Sequence, residues 1–324
     1  MLFIIGLLVL GYVAYKVYEH FTATPNINPQ GKYVLISGCD TGFGNGLAIE
    51  LDHQGFNVFA GIYNAQNKDS LTQRLSSRAT VFKLDITRQE DIDDAYQMVS
   101  ARTKTLHALV NNAGVGTCGY IDWISMDSMR NVMDVNFFGH VSMTKTFLPL
   151  FITKKDSRVV NLCSVAGYLA APGMAAYSSS KYALESFSDC LRREMFAWNL
   201  RVSIIEPGFM KTPIVQGHDV ALRKMWNDLE SDVKTRWGEE HLNQQIKLLS
   251  NIFITQAENP RKVVLALRHA VMNSAPRIRY RPGWQSGIVM FALAQCPAWL
   301  ADIIVKFFNT ASAIPPGVRN QLTD

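Results

Sequence analysis

Residues 32–37, Lys-Tyr-Val-Leu-Ile-Ser, make an apolar run of strand length that enters Gly38-Cys39-Asp40-Thr41-Gly42-Phe43-Gly44 without a break. A helical pattern carried by Leu47, Ala48, Ile49 and Leu51 follows, and a second strand pattern covers residues 57–62. Strand, glycine turn, helix and strand in that order predict a βαβ unit, which leaves few arrangements open to the rest of the chain. Glycines in such a turn let backbone come close to an anionic group. The start of the helix then adds N–H donors and the positive end of a dipole.

The same alternation continues. A third strand is predicted over 79–84, ending in Asp85, then a helix over 91–103 and a fourth strand over 106–110 that closes on Asn111-Asn112-Ala113-Gly114. A long helical pattern over 128–151 carries Asn136 in its interior, where an amide needs a specific partner because it competes for backbone groups. Residues 158–162 form the next strand, with Ser164 just beyond it, and a helix runs from near Tyr177 to about residue 198. A strand over 201–205 ends in Glu206-Pro207-Gly208, with Thr212 after it. The expected fold is α/β, a doubly wound parallel sheet of the Rossmann kind, formed as a single domain over residues 31–280. Each polar cluster falls at the C-terminal end of a strand, where such sheets bind ligands.

Tyr177 and Lys181 stand four residues apart, so on a helix they share one face. An ammonium beside a phenol favours the phenolate, and the pair can then act as a general base near neutral pH. That spacing also occurs on ordinary surface helices. Its weight comes from the setting.

In that setting the ordered set Gly38-x-x-x-Gly42-x-Gly44, Asn111-Asn112-Ala113-Gly114, Asn136, Ser164, Tyr177-x-x-x-Lys181 and Pro207-Gly208 resembles the short-chain dehydrogenase/reductases over about residues 31–215. Arg279-Tyr280-Arg281-Pro282-Gly283-Trp284, taken with the glycine turn, makes the chain similar to the membrane-bound retinol and hydroxysteroid dehydrogenase branch. The resemblance implies hydride transfer between a lipophilic alcohol and a nicotinamide cofactor. In that chemistry Tyr177 takes the hydroxyl proton, Ser164 bonds the same oxygen, Lys181 lowers the tyrosine pKa and holds the nicotinamide ribose, and Asn136 positions a water that feeds the lysine. It likewise implies cofactor contacts at Gly38, Thr41, Gly42, Phe43, Gly44, Asp85 (adenine amine), Asn112, Gly114, Tyr177, Lys181, Pro207, Gly208 and Thr212 (carboxamide). Asp85 and Thr212 also read as plain turn and cap residues.

Cofactor choice turns on the end of the second strand, which reads Ile62-Tyr63-Asn64. No Lys or Arg stands there or in the glycine turn to meet a 2′-phosphate, so NAD is expected over NADP. Beyond Thr212, apolar residues recur at helical spacing through Leu222, Met225, Trp226, Leu229 and Val233, and again through Ile246, Leu249, Ile252 and Phe253. They predict two amphipathic helices within about 213–260, readable either as a lid over a hydrophobic substrate or as ordinary packing.

The first 20 residues are almost wholly apolar, with Lys16 the only charge before Glu19, and are expected to be a retained transmembrane anchor. An apolar tail over 284–310, broken by Pro297, Asp302 and Lys306, suits a membrane-surface hairpin or a buried tail better than a second span. The expected setting is the endoplasmic reticulum membrane. The expected partners are a lipophilic small molecule, the membrane and a second copy of the chain in a homodimer. The 32 Lys and Arg are scattered, which argues against nucleic acid, and five separated cysteines without zinc spacing argue against a metal. Two other readings stand beside this one: a dehydrogenase of the 3-hydroxybutyrate type, and a nucleotide-binding scaffold without turnover.

Overall fold

The computed structural model describes residues 24–309 and 314–321, with Gly6, Leu10, Gly11 and Ala14 as isolated positions. Apart from those four, the expected anchor over residues 1–20 lies outside the described residues. Among the described residues no helix is long and apolar enough to cross a membrane.

Seven parallel strands make one sheet in the order β3-β2-β1-β4-β5-β6-β7. They are β1 (Tyr33–Ile36), β2 (Asn57–Ile62), β3 (Thr80–Lys83), β4 (Ala108–Asn111), β5 (Arg158–Leu162), β6 (Arg201–Ile205) and β7 (Arg279–Tyr280). Helices cover both faces, so the strands read as nearly continuous apolar runs instead of alternating ones. On one face α1 (Gly42–Gln54) sets Leu47 and Leu51 against Val34, Val58 and Val110. After the short α2 (Lys68–Thr72), the helix α3 (Gln89–Arg102) crosses the opposite face and packs Ile92 and Val99 against Leu35, Phe59 and Leu109. The chain winds outward from β1 in one direction and from β4 in the other. A crevice therefore opens between the C-terminal ends of these two strands.

The pattern over 128–151 proves to be two helices with a distinct joint. The helix α4 (Met126–Met133) passes through a π-helical stretch, Asp134–Phe138, into α5 (Gly139–Ile152). Asn136 lies in that stretch, fully buried, and single π turns of this kind commonly occur at functional sites. The helix α6 (Ala175–Glu194) follows β5 and ends four residues before the sequence reading placed its end, because Phe196–Trp198 closes as a 3-10 turn.

Beyond β6 three helices stand where two were expected: α7 (His218–Asn227), α8 (Ser231–Trp237) and α9 (Glu239–Ser250). The last two are separated by Gly238 at φ 76°, a left-handed φ that interrupts the helical path. The chain then runs down α10 (Arg261–Met272), whose Val263 and Leu267 complete the first face of the core. After β7 comes a helical tail, the π-helical Gln285–Met290 leading into α11 (Phe291–Ala294), then α12 (Ala298–Asn309) beyond Pro297.

At the N-terminal end of the sheet, His107 precedes β4 and its Nε2 meets the Val271 carbonyl at 2.9 Å. Burial lowers its pKa from 6.5 to about 4, and the nearby cations Arg158, Lys32 and Lys154 add to the shift. Between those values the unfolded chain binds a proton that the folded chain refuses. Stability is therefore full above 6.5 and falls as pH drops towards 4. Thermal midpoints measured across this window are expected to decline with falling pH, and His107→Gln is expected to flatten the decline. An unchanged slope in the variant would contradict this assignment.

Candidate active site

The ends of β1 and β4 are joined through one side chain. Asn112 Nδ2 donates to the carbonyls of Ser37 and Gly38, both at 2.9 Å, while Ser37 Oγ accepts from the N–H groups of Asn112 and Ala113 at 3.1 Å. Gly38 is at φ +71°, and a Cβ there would stand 2.7 Å from the Ala113 Cα, so only glycine fits. Gly42, at φ +63°, has open space where its Cβ would be, which leaves the turn backbone accessible to a ligand. Phe43 packs on the core, so what it can offer a ligand is backbone. Thr41, exposed, is the N-cap of α1 and makes no side-chain cap bond.

An acid that the sequence reading passed over stands beside this turn. Asp40 accepts from the N–H groups of Tyr63 and Asn64, both at 2.8 Å, and from Asn67 Nδ2 at 3.0 Å. The carboxylate thus sits at the end of β2, although the chain delivers it from the glycine turn. The signal in the sequence is the Asp of Gly38-Cys39-Asp40, which lies in the turn and not on β2, where such an acid ordinarily stands.

Ser164 and the helix α6 meet at the end of β5. Lys181 Nζ donates to the Leu162 carbonyl at 2.9 Å, and Cys163 Sγ donates to the Lys181 carbonyl at 3.3 Å, so both ends of the lysine are tied to the strand terminus. Ser164 Oγ accepts from the Ala166 N–H at 3.2 Å, capping a short turn, and its hydroxyl stands near enough to the Tyr177 phenol to lower the phenol's pKa. Lys181 Nζ lies 5.7 Å from the centre of the Tyr177 ring.

The electrostatics differ from the sequence expectation. Burial pushes the Tyr177 phenol above its ordinary value and the Ser164 hydrogen bond pulls it back, but the ammonium does not reverse the balance. Burial also lowers Lys181. Its charge is felt one layer below, where His140, with Nε2 2.7 Å from the Ala113 carbonyl, is lowered to about 3 by burial and then by Lys181.

Asn136 is the residue that fixes the helix α6 against the β4 loop. Its Oδ1 accepts from the Val115 N–H at 2.9 Å, and its Nδ2 donates to the Val115 carbonyl at 3.0 Å and to Ser180 Oγ at 3.1 Å. Both amide hydrogens are thus committed to protein. Ser180 Oγ donates in turn to the Tyr177 carbonyl at 2.7 Å, so Asn136 orients the helix that carries Tyr177 and Lys181. Gly114 lies between, with a position for Cβ 3.3 Å from Asn136 Oδ1 and 4.0 Å from Lys181 Nζ.

The remaining positions are held by local bonds. Asp85 Oδ1 accepts from the Thr87 N–H and hydroxyl at 2.9 and 2.7 Å. Thr212 is buried and precedes the turn Pro213–Val215. The Pro207 carbonyl accepts from the Val165 N–H at 3.0 Å, and Gly208 packs against Gln285 of the tail. Asn112, expected on the cofactor side, has its amide hydrogens used inside the protein.

The three helices after Thr212 bury their stripes in a small core of their own, formed by Leu222, Trp226, Val233 and Leu242 with Trp123 from the β4 loop. Tyr120 stacks on Trp237 at 4.6 Å, and Asp122 binds Arg236 at 2.7 Å and accepts from Trp237 Nε1 at 2.7 Å. This cap is latched to the same loop that carries Asn112 and Gly114. Among the described residues no group of His, Cys, Asp and Glu could hold a metal ion.

Comparison with known proteins agrees with this arrangement. A family model described as short chain dehydrogenase matches residues 32–221. The chain is 35% identical over 280 residues to retinol dehydrogenase 16 of Rattus norvegicus, covering 85% of this chain and 88% of the relative. It is 35% identical over 281 residues to 17-beta-hydroxysteroid dehydrogenase type 6 of Bos taurus (85% and 88%), and 34% over 307 residues to retinol dehydrogenase 5 of Mus musculus (93% and 96%). A short chain dehydrogenase/reductase from Burkholderia phymatum, solved in complex with NAD, shares the fold with a TM-score of 0.70 at 20% identity, covering 86% of this chain and 96% of that one.

Removing the Asn112 side chain leaves the Ser37 and Gly38 carbonyls without their donor. Asn112→Ala is expected to cost about 1–3 kcal/mol of unfolding free energy. Chemical denaturation reads the loss, and a change near zero would mean that the two strand ends hold together without it.

Proposed function

The chain belongs to the short chain dehydrogenase family, and from that premise we propose that it oxidises a lipophilic secondary or allylic alcohol, a retinoid or a hydroxysteroid, using NAD. The observation that carries this reading is the grouping of the Tyr177 phenol and the Ser164 hydroxyl, near enough for the serine to lower the phenol's pKa, with Lys181 one helical turn on, at the sheet end that also presents the open glycine turn. A dinucleotide fits the residues present, since Gly42 leaves the turn backbone open and Asp40 stands where a ribose is met. When bound, its nicotinamide accepts the hydride that leaves the carbinol carbon.

In this mechanism Tyr177 removes the hydroxyl proton and Ser164 hydrogen-bonds the same oxygen. That oxygen gains negative character as the reaction proceeds, so two preplaced groups favour the transition state over the ground state. Lys181 keeps a positive charge within reach of the tyrosine, and Asn136, through Ser180, fixes the pitch of the helix that carries both. Gly38, Thr41, Gly42, Phe43 and Gly44 would hold the dinucleotide by backbone, with Asn112 and Gly114 on its adenine side and Pro207, Gly208 and Thr212 towards the nicotinamide. The preference for NAD rests on Asp40, because a 2′-phosphate beside its carboxylate would meet like charge.

The substrate's chemistry is inferred from the relatives' names together with the apolar cap. Membrane association is supported by the apolar residues 2–15 and by the tail, and the endoplasmic reticulum is the membrane we propose. There Trp299, Ile303 and Phe307 are exposed, as are Trp284 and Ile288 before them. A membrane-surface placement would cover these side chains and bring a lipid-soluble alcohol to the cap directly.

A panel of retinol and hydroxysteroids, run with NAD and NADP in parallel on membranes containing the protein, tests the proposal. Formation of reduced cofactor with at least one alcohol, faster with NAD, is expected. NAD binding without turnover on any member would favour the scaffold reading. Asp40→Ser is expected to narrow the NAD over NADP preference by about tenfold or more, in line with loss of one close charge repulsion. An unchanged ratio would move cofactor selection elsewhere.

A further inference from the structure

At the opposite end of the sheet from Tyr177 lies a cleft of about 450 Å³ that the dehydrogenase reading does not use. Its floor is set by topology. Lys32 immediately precedes β1, His107 immediately precedes β4 and Arg158 begins β5, and these three strands are neighbours, with Val34 paired to Ala108 and Ala108 paired to Arg158. Lys154 and Lys155, both exposed, close the wall from the loop before β5. Asn28 and Ser157 add polar groups to the lining.

Among the described residues the charges of this cleft do not balance. Four cations line it against one acid, Asp156, and that acid is already engaged, accepting from Asn199 Nδ2 at 3.0 Å and pairing with Arg201 at 2.9 Å. Arg158 is 2% exposed, yet among the described residues no carboxylate lies within ion-pair distance of it. Its Nη1 donates to the carbonyls of Ala270 and Val271 at 2.9 and 2.6 Å, while its Nε is buried without a partner. Burial and then Arg201 lower this guanidinium to about 10, and Lys32 is lowered by burial and then by Lys154 and Arg158. His107 stays neutral and leaves the excess to the other four groups. A buried guanidinium without a counter-ion is costly, and natural proteins seldom keep one unless something supplies the opposite charge.

We propose that this cleft binds a phosphate-bearing anion, with Arg158 at its floor and Lys32, Lys154 and Lys155 around its rim. A phosphate offers several acceptor oxygens and more than one negative charge, which suits a guanidinium with a free N–H and three ammonium groups better than a single carboxylate does. The group arrives either as a soluble phosphate or as the headgroup of an anionic lipid, since Ile27 and Asn28, a few residues beyond the apolar N-terminal stretch, also line the cleft.

The full-length protein in neutral detergent is titrated with inorganic phosphate at ionic strength held constant with chloride, and binding is followed by phosphorus NMR line width. In a second arm it is cosedimented with phosphatidylcholine vesicles made with and without phosphatidylserine. The double variant Lys154→Glu with Lys155→Glu changes only exposed loop positions and is expected to keep its thermal midpoint in chloride. It should weaken binding by about tenfold or more. A loss confined to the phosphate arm assigns a soluble phosphate, whereas a loss in the vesicle arm assigns a headgroup. Arg158→Met serves as a second variant reaching the floor. Binding unchanged in both arms and in both variants overturns the site.

Discussion

The functional end of this protein depends on how closely β1 and β4 are held at their C-terminal ends. Asn112 bonds two successive carbonyls of the glycine turn, and Gly38 lies against Ala113 at a distance no side chain would permit. These contacts fix the lip of the crevice where the winding direction reverses. From that lip the β4 loop runs on through Gly114 and Val115 to the residues that latch the cap. Val115 is gripped by Asn136, and Asn136 grips the helix of Tyr177 through Ser180. Hydrogen bonds, together with the backbone between Asn112 and Val115, thus join the proposed cofactor turn to the helix of the proposed base.

The second constraint is burial. Tyr177 and Lys181 sit where ionisation is costly, so burial moves the phenol up and the ammonium down. Both shifts oppose the charged pair that the spacing alone suggests. The Ser164 hydroxyl is the counterweight that the chain itself supplies, and the bond from Lys181 to the Leu162 carbonyl keeps the ammonium at the strand end. The site is preorganised by geometry more than by a standing charge.

Much of the fold was readable from periodicity, because parallel strands buried on both faces leave short apolar runs that helices separate. The strand ends carrying Gly38, Asn112, Ser164 and Gly208 stood out because polar and glycine residues there interrupt those runs. Other features were hidden because they arise from contacts distant in sequence. Asp40 meets the end of β2 only after the turn folds across it. Asn136 looked like a helix interior residue, and nothing local announced the π turn that aims its amide at Val115. Asn112 stands among the expected cofactor residues, and nothing local shows that its amide also ties β1 to β4. The cap stripes could not be divided between lid and core until Trp123 was seen to enter their packing. The cation excess around Arg158 was equally invisible, since Lys32, Lys154 and Arg158 come together only at adjacent strand starts.

The central claim is that the Tyr177 oxygen accepts the proton of the alcohol, and Tyr177→Phe tests it most directly, since the variant keeps the ring and removes only that atom. Turnover with the best alcohol of the panel and NAD affinity by titration are measured on the same preparation. The account predicts turnover lower by about a hundredfold or more with NAD affinity nearly unchanged. Turnover comparable to that of the unaltered protein would contradict it.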